Sequence, residues 1–220
     1  MVQIYPSEAF EKIMQYDEVL RILLGTSTGE RLGAIQSLYS DLDRAQKRFT
    51  KTFDISCPEG CGSCCEHFFP DVTMAEAEYM AMGILFEGRE EDVLEKLHSI
   101  KDRTFCPLYR KDSPYHCTVY GVRPLVCRLF GASAVRDKNA KPAFGDCRWN
   151  TKTLNLSSED LEKHSEDLVI MGDYGLRLEE IQVEDTATYP LDEALEKAIL
   201  KIKFLLILNN DDPEPEPNAS

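Results

Sequence analysis

Residues 57–65 read "CPEGCGSCC", which places four of the chain's eight cysteines within nine positions. The other four, Cys106, Cys117, Cys127 and Cys147, follow singly. The use made of these thiols decides how the middle of the chain folds. Disulfides are one use, but they persist in oxidising compartments. The opening "MVQIYPSEAFEKIMQYDEVL" has no basic n-region, no signal-type apolar run and no small-residue cleavage pattern. The longest apolar run, "FLLIL" at 204–208, falls far short of a membrane span. We therefore expect a cytoplasmic protein, with reduced thiols and no membrane contact. Burial as small apolar side chains suits one or two of the singletons but not four cysteines in nine residues. A redox pair at 61–64 would sit at a strand-to-helix junction in a βαβ context, and no such context is visible. Metal binding accounts best for the set.

The loop is suited to that task. Gly60 and Gly62 let the backbone fold around one centre, so several sulfurs converge without closing long loops. Cys61-Gly-Ser-Cys64 has knuckle spacing, which gives two bonds to one zinc or to irons of one cluster. Thiolate ligands suit zinc and iron–sulfur alike. Two features lean toward iron–sulfur: Cys-Pro occurs at 57–58 and again at 106–107, and only one Cys-x-x-Cys pair exists. The remaining ligands are separated by ten, nine and nineteen residues, which fits a cluster or two centres sunk in a folded pocket. Cys64 and Cys65 are adjacent, and neighbouring side chains usually diverge. The expectation is that they serve two centres, or that one ligates while the other packs. His67 and His116 flank cysteines, but solvated or packed rings are the simpler reading for both.

Charge points to the same region. The formal net charge is −14, a poor match to nucleic acid, which needs cationic surface. Residues 101–150 carry ten Lys and Arg against four Asp, a net of +6, leaving −20 for the rest. Arg123, Arg128 and Arg148 lie beside or near cysteines within that basic segment, and cations favour the ionised thiols that metals require.

Around the cysteines the chain reads as helical. With 220 residues, 43% of them hydrophobic, it can bury a core without covalent staples. Helical spacing covers 7–24, with Phe10, Ile13, Met14, Val19 and Leu23 on one face, and a second helix runs over 29–51. "GTSTGERLG" lacks the Gly-Lys-Ser/Thr ending of a phosphate loop. Pro58, Gly60, Gly62 and Pro70 argue against regular structure over 54–70. Thr73 and Glu76 have capping-box spacing and open a helix over 74–86. Another helix follows at 89–103. Short strands are expected near 106–110, 116–120, 132–136 and 142–146, with a turn at "DKNAK" and one helical turn at "RPLVCRLF" beginning at Pro124. Helices resume at 158–180, opened by Ser157 and Asp160, and at 191–208, with Leu191, Leu195, Ile199 and Ile202 as a core stripe. The acidic, Pro-rich end has the composition of a disordered tail. The fold class is mainly α (α+β): N-terminal helices over 1–53, a Cys-rich region with a small irregular β unit over 54–150, and C-terminal helices over 151–209, with the tail at 210–220, all in one domain.

These cysteines form a recognisable pattern. Cys57, Cys61-Gly-Ser-Cys64-Cys65, Cys106-Pro-Leu and "CTVYGVRPLVCRLF" at 117–130 resemble the CxxCxxCC family of zinc- or iron-chelating domains, which includes flagellin lysine N-methylase. The resemblance covers 57–130 and extends toward Cys147. It departs at "PEG", three residues between the first two cysteines where the family name has two. It implies a cysteine-rich iron or zinc centre, with Cys57, Cys61, Cys64, Cys65, Cys106, Cys117, Cys127 and Cys147 as the candidate ligands. No glycine-rich S-adenosylmethionine loop accompanies it.

Three functions follow. The first is a cytoplasmic iron–sulfur protein with a redox or cluster-dependent role, with Cys61, Cys64, Cys117 and Cys127 as the best single ligand set. Here Arg123 and Arg128 would compensate thiolate charge or receive an anion. The second is a structural zinc module that holds a partner-binding surface. The third is a methylase-like enzyme whose pocket is lined by Tyr120 and Arg123.

Overall fold

The computed structural model describes residues 17–55, 62–112, 116–145, 147, 155–182 and 185–210. The part of the first expected helix at 7–16, Cys57, Cys61 and the tail from 211 lie outside these residues. Helix α1 (Asp17–Ile22) turns at Gly25, whose φ of 82° suits glycine, into the long α2 (Ser27–Thr52). Thr26 caps α2 by accepting from the Gly29 amide at 3.0 Å. Its buried residues Leu32, Ile35, Leu38, Tyr39, Leu42, Ala45, Gln46 and Phe49 recur at helical spacing and face the core.

After a four-residue turn, α3 (Ser63–Glu66), and a short strand, β1 (Asp71–Thr73), comes α4 (Met74–Phe86). This helix begins and ends where the sequence placed it, and the Thr73–Glu76 capping box is formed in both directions. Every residue of α4 from Ala75 to Ile84 is buried, because α2 covers one side and the last helix, α9 (Leu191–Asn210), covers another. The expected stripe Leu191, Leu195, Ile199 and Ile202 on α9 is fully buried against it. Glu78 of α4 is 2% exposed, and it accepts from Arg31 of α2 at 3.2 Å and Lys201 of α9 at 2.6 Å.

Several expectations needed correction. A two-strand ladder that the sequence did not signal pairs β1 antiparallel with β4 (Thr188–Pro190), Val72 opposite Tyr189. Three residues per strand are too few to show a period of two. Helix α5 (Glu90–His98) stops short of 103, where Ser99 and Asp102 turn their side chains onto nearby backbone groups. The expected helix over 158–180 is broken into α7 (Ser158–Glu162), a 3-10 turn (Ser165–Asp167) and α8 (Met171–Ile181). The break falls where Val169 and Ile170 are buried in extended form and Ile170 bridges Ala134. Of the strands, only β2 (Val135–Arg136) and β3 (Pro142–Ala143) form, joined at the expected turn. Those near 106–110 and 116–120 shrink to one bridge, Tyr109 to Cys117. The 54–70 loop contains α3, so it is less irregular than its composition suggested. The architecture is mainly α with a small β unit, as expected.

Glu76 couples the helical core to the cysteine-bearing segment. Its Oε2 accepts from the Thr73 amide at 3.0 Å and hydroxyl at 2.9 Å. Its Oε1 accepts from the Tyr39 hydroxyl at 3.1 Å and the Leu125 amide at 2.7 Å. Leu125 opens α6 (Leu125–Leu129), which carries Cys127. A buried donor left without its acceptor costs about 1–3 kcal/mol. We predict that Glu76→Ala lowers stability in urea titration by about 3 kcal/mol, against about 1 kcal/mol for the cap variant Thr73→Ala. Equal effects of the two would show that the Leu125 bond contributes nothing.

Candidate metal centre

Three short backbone devices bring the thiols together. The turn α3 is closed by the Cys65 amide donating to the Gly62 carbonyl at 2.8 Å, and it presents Cys64 and Cys65. The Cys106 amide then donates to the Cys65 carbonyl at 3.0 Å, which pins the second segment to the first. Cys117 returns beside it through the bridge to Tyr109 and a 3.2 Å bond from the Thr118 amide to the Leu108 carbonyl. The Tyr109 hydroxyl donates to Glu66 at 2.9 Å, closing the ring of contacts back onto α3. Finally the 3-10 turn Tyr120–Val122 leads through Pro124 into α6 and Cys127. Pro124 stands at the cap, one position earlier than expected.

Cys64, Cys106 and Cys117 act electrostatically on Cys65 and on Cys127. Cys106 is buried and the other four are half-buried. The Sγ atoms of Cys64 and Cys65 are 3.9 Å apart. These neighbours therefore converge, contrary to the expectation that they diverge. A hydrogen bond from Cys65 lowers the Cys64 thiol to about 6, helped by the Arg123 charge, while the same bond and burial push Cys65 far upward. Burial pushes Cys106 up to about 12 and raises Cys117 and Cys127. Among the described residues, no three Cys, His, Asp or Glu side chains surround a single point.

The two arginines occupy different positions. Arg123 lies with its guanidinium 3.9 Å from the Tyr120 ring centroid, and its charge acts on Cys64, Cys117 and Cys127. Arg128 is 2% exposed and turns toward the helices. It donates to the carbonyls of Arg123 at 2.9 Å and Gly121 at 2.6 Å, pairs with Asp43 at 3.2 Å and stacks on Tyr39 at 4.2 Å. Cys147 stands beside Gly131, just beyond α6. His67 is exposed at the end of α3. His116, at a φ of 51°, is set against Gly62 with its ring tilted on Tyr109. Sequence reading missed Arg89, which donates to the Thr118 carbonyl at 2.7 Å and places a second cation near Cys117. Twenty-nine residues separate Arg89 from Thr118, so no local pattern marks the contact.

Thiols on neighbouring segments with cations beside them have the residue chemistry that soft or borderline metals prefer. Residues 56–167, just over half the chain, match the family model described as "CxxCxxCC: Putative zinc- or iron-chelating domain". The chain belongs to the CxxCxxCC family. No curated protein and no solved structure gives a significant match. As a member of that family, the chain has a cysteine-rich zinc- or iron-chelating domain. Among the described residues, no helix is long and apolar enough to cross a membrane.

Two predictions follow from this geometry. A Cβ on Gly62 would stand 2.7 Å from the Tyr109 ring and closer still to His116, so Gly62→Ala must shift α3. We expect it to cut the bound metal per chain by at least half while the urea midpoint moves little. Full metal content would show that the packing is not needed. The second concerns pH. Thiols held upward by burial are protonated at neutral pH, and each must release a proton to bond a metal. Apparent zinc affinity, measured by chelator competition, should therefore rise from pH 6.5 to 8.5 and fall on acidification, by about tenfold per pH unit for each such ligand. A flat profile would contradict the assigned shifts.

Proposed function

We propose that this chain is an iron–sulfur protein, with the cluster held by thiolates drawn from Cys61, Cys64, Cys65, Cys106, Cys117 and Cys127. The observation that carries this reading is that the thiols come from separate segments, 62–66, 106–117 and 125–129, held against one another. Cys65 and Cys127 are each under the electrostatic influence of Cys64, Cys106 and Cys117, and Cys61 directly precedes Gly62 in the chain. A single tetrahedral ion takes four. A [2Fe–2S] or [4Fe–4S] cluster also takes four, but it spreads them over several metal atoms, which suits thiols supplied by separate segments, and it confers electron-transfer capacity on the protein that binds it. Arg123 and Arg89 would offset the anionic charge of the ligands, which stabilises the ionised thiols. The role we infer is redox or cluster-dependent, in the cytoplasm.

Zinc is the second reading, and the 3.9 Å separation of Cys64 and Cys65 favours it, since that distance suits two ligands of one ion. A zinc centre would act structurally, tying α3, the 106–117 bridge and α6 together.

The test is metal and acid-labile sulfide content with a visible spectrum, on protein purified without oxygen. Iron with matching sulfide, and a brown absorbance bleached by dithionite, is the expected result. Colourless protein with stoichiometric zinc would replace this reading with the second. We also predict that Cys64→Ser and Cys127→Ser each lose most of the metal. Unchanged content in both would remove these residues from the site.

A further inference from the structure

The placement of the adjacent cysteines specifies how they bind. We infer that Cys64 and Cys65 bind the same metal atom, side by side, rather than serving two centres. The inference rests on the metal-centre reading and adds to it the sharing of ligands.

Two thiolates on one tetrahedral ion, with bonds of about 2.3 Å, stand about 3.8 Å apart. The Sγ atoms of Cys64 and Cys65 are 3.9 Å apart. The backbone around them fixes this arrangement. The amides of Cys65 and Glu66 both donate to the Gly62 carbonyl, at 2.8 and 3.2 Å, which sets the turn that aims the two side chains. The Cys65 carbonyl is held by the Cys106 amide, and the Cys65 side chain packs against the hydrophobic core. Glu66, next in the turn, is held by the Tyr109 hydroxyl. Little rearrangement is needed for the pair to take adjacent positions on one metal atom, and ligands already in place bind at lower entropic cost.

Ligand sharing limits the kind of centre. Four cysteines divided over two irons give two thiolates to each iron, whereas four divided over four irons give one. A metal atom that holds both Cys64 and Cys65 is therefore a single ion or one iron of a [2Fe–2S] cluster. A [4Fe–4S] cluster that uses both is excluded. No electron moves on binding: each sulfur–hydrogen bond is replaced by a sulfur–metal bond, and each displaced proton goes to solvent.

The experiment uses the full chain loaded with cadmium-113 and read by proton–cadmium correlation NMR. The β-protons of Cys64 and Cys65, assigned beforehand, should both correlate with one cadmium resonance. Correlation to two different cadmium resonances, or from only one of the two residues, would overturn the inference while leaving a metal centre standing. Protein that takes up no cadmium and, on anaerobic reconstitution, no iron and sulfide would overturn the metal-centre reading and this inference together.

Discussion

A single buried carboxylate joins the two halves of this molecule. Glu76 uses both oxygens and receives four donors: two from Thr73, one from Tyr39 and one from the first amide of α6. The first two start the central helix α4. The last starts the helical turn that carries Cys127. Desolvating a carboxylate is expensive unless its lone pairs are filled, and here the filling donors come from separate parts of the chain. The position of α6 relative to the core is thereby tied to the start of α4.

Arg128 acts on the other side of the same turn. Its guanidinium donates to the carbonyls of Gly121 and Arg123, pairs with Asp43 and lies on the Tyr39 ring. Gln46 of α2 adds a 2.7 Å bond to the Arg128 carbonyl. A planar five-donor group can satisfy several carbonyls of a tight loop at once, which lysine cannot. The segment 120–129 is therefore held on the helical surface, and the Arg123 charge within it acts on Cys64, Cys117 and Cys127. A centre whose ligands come from several segments depends on such support, because each ligand's position is only as firm as its backbone.

The charge pattern follows from this division. Thiols at a metal site must ionise, yet burial opposes ionisation, as the raised Cys106, Cys117 and Cys127 show. The Arg123 and Arg89 charges both work against that opposition at Cys117. The local excess of positive charge over residues 101–150, in a chain of net −14, thus has two uses. Arg123 serves the thiols, while Arg128 and Arg103 bind acidic groups of the helical core or its surface.

Some of this was determined by sequence alone. The Thr73–Glu76 box, the α9 stripe and the turn at "DKNAK" were legible because caps, helical periods and turn residues act within a few positions. The Cys-rich pattern was legible because its chemistry lies in residue type and spacing. Other features were decided by tertiary structure. The Glu76 bond to Leu125 spans forty-nine residues, and the Arg128 contact to Asp43 spans eighty-five. The β1–β4 ladder and the break before α8 arise where distant backbone supplies the partner. The convergence of Cys64 and Cys65 was also hidden, since adjacency in sequence leaves side-chain direction open until a backbone turn sets it. Local signals fixed which elements form and which atoms could bind a metal. Long-range hydrogen bonds decided how the cysteine-bearing segments lie against one another and against the helices, because no short stretch of chain contains both partners.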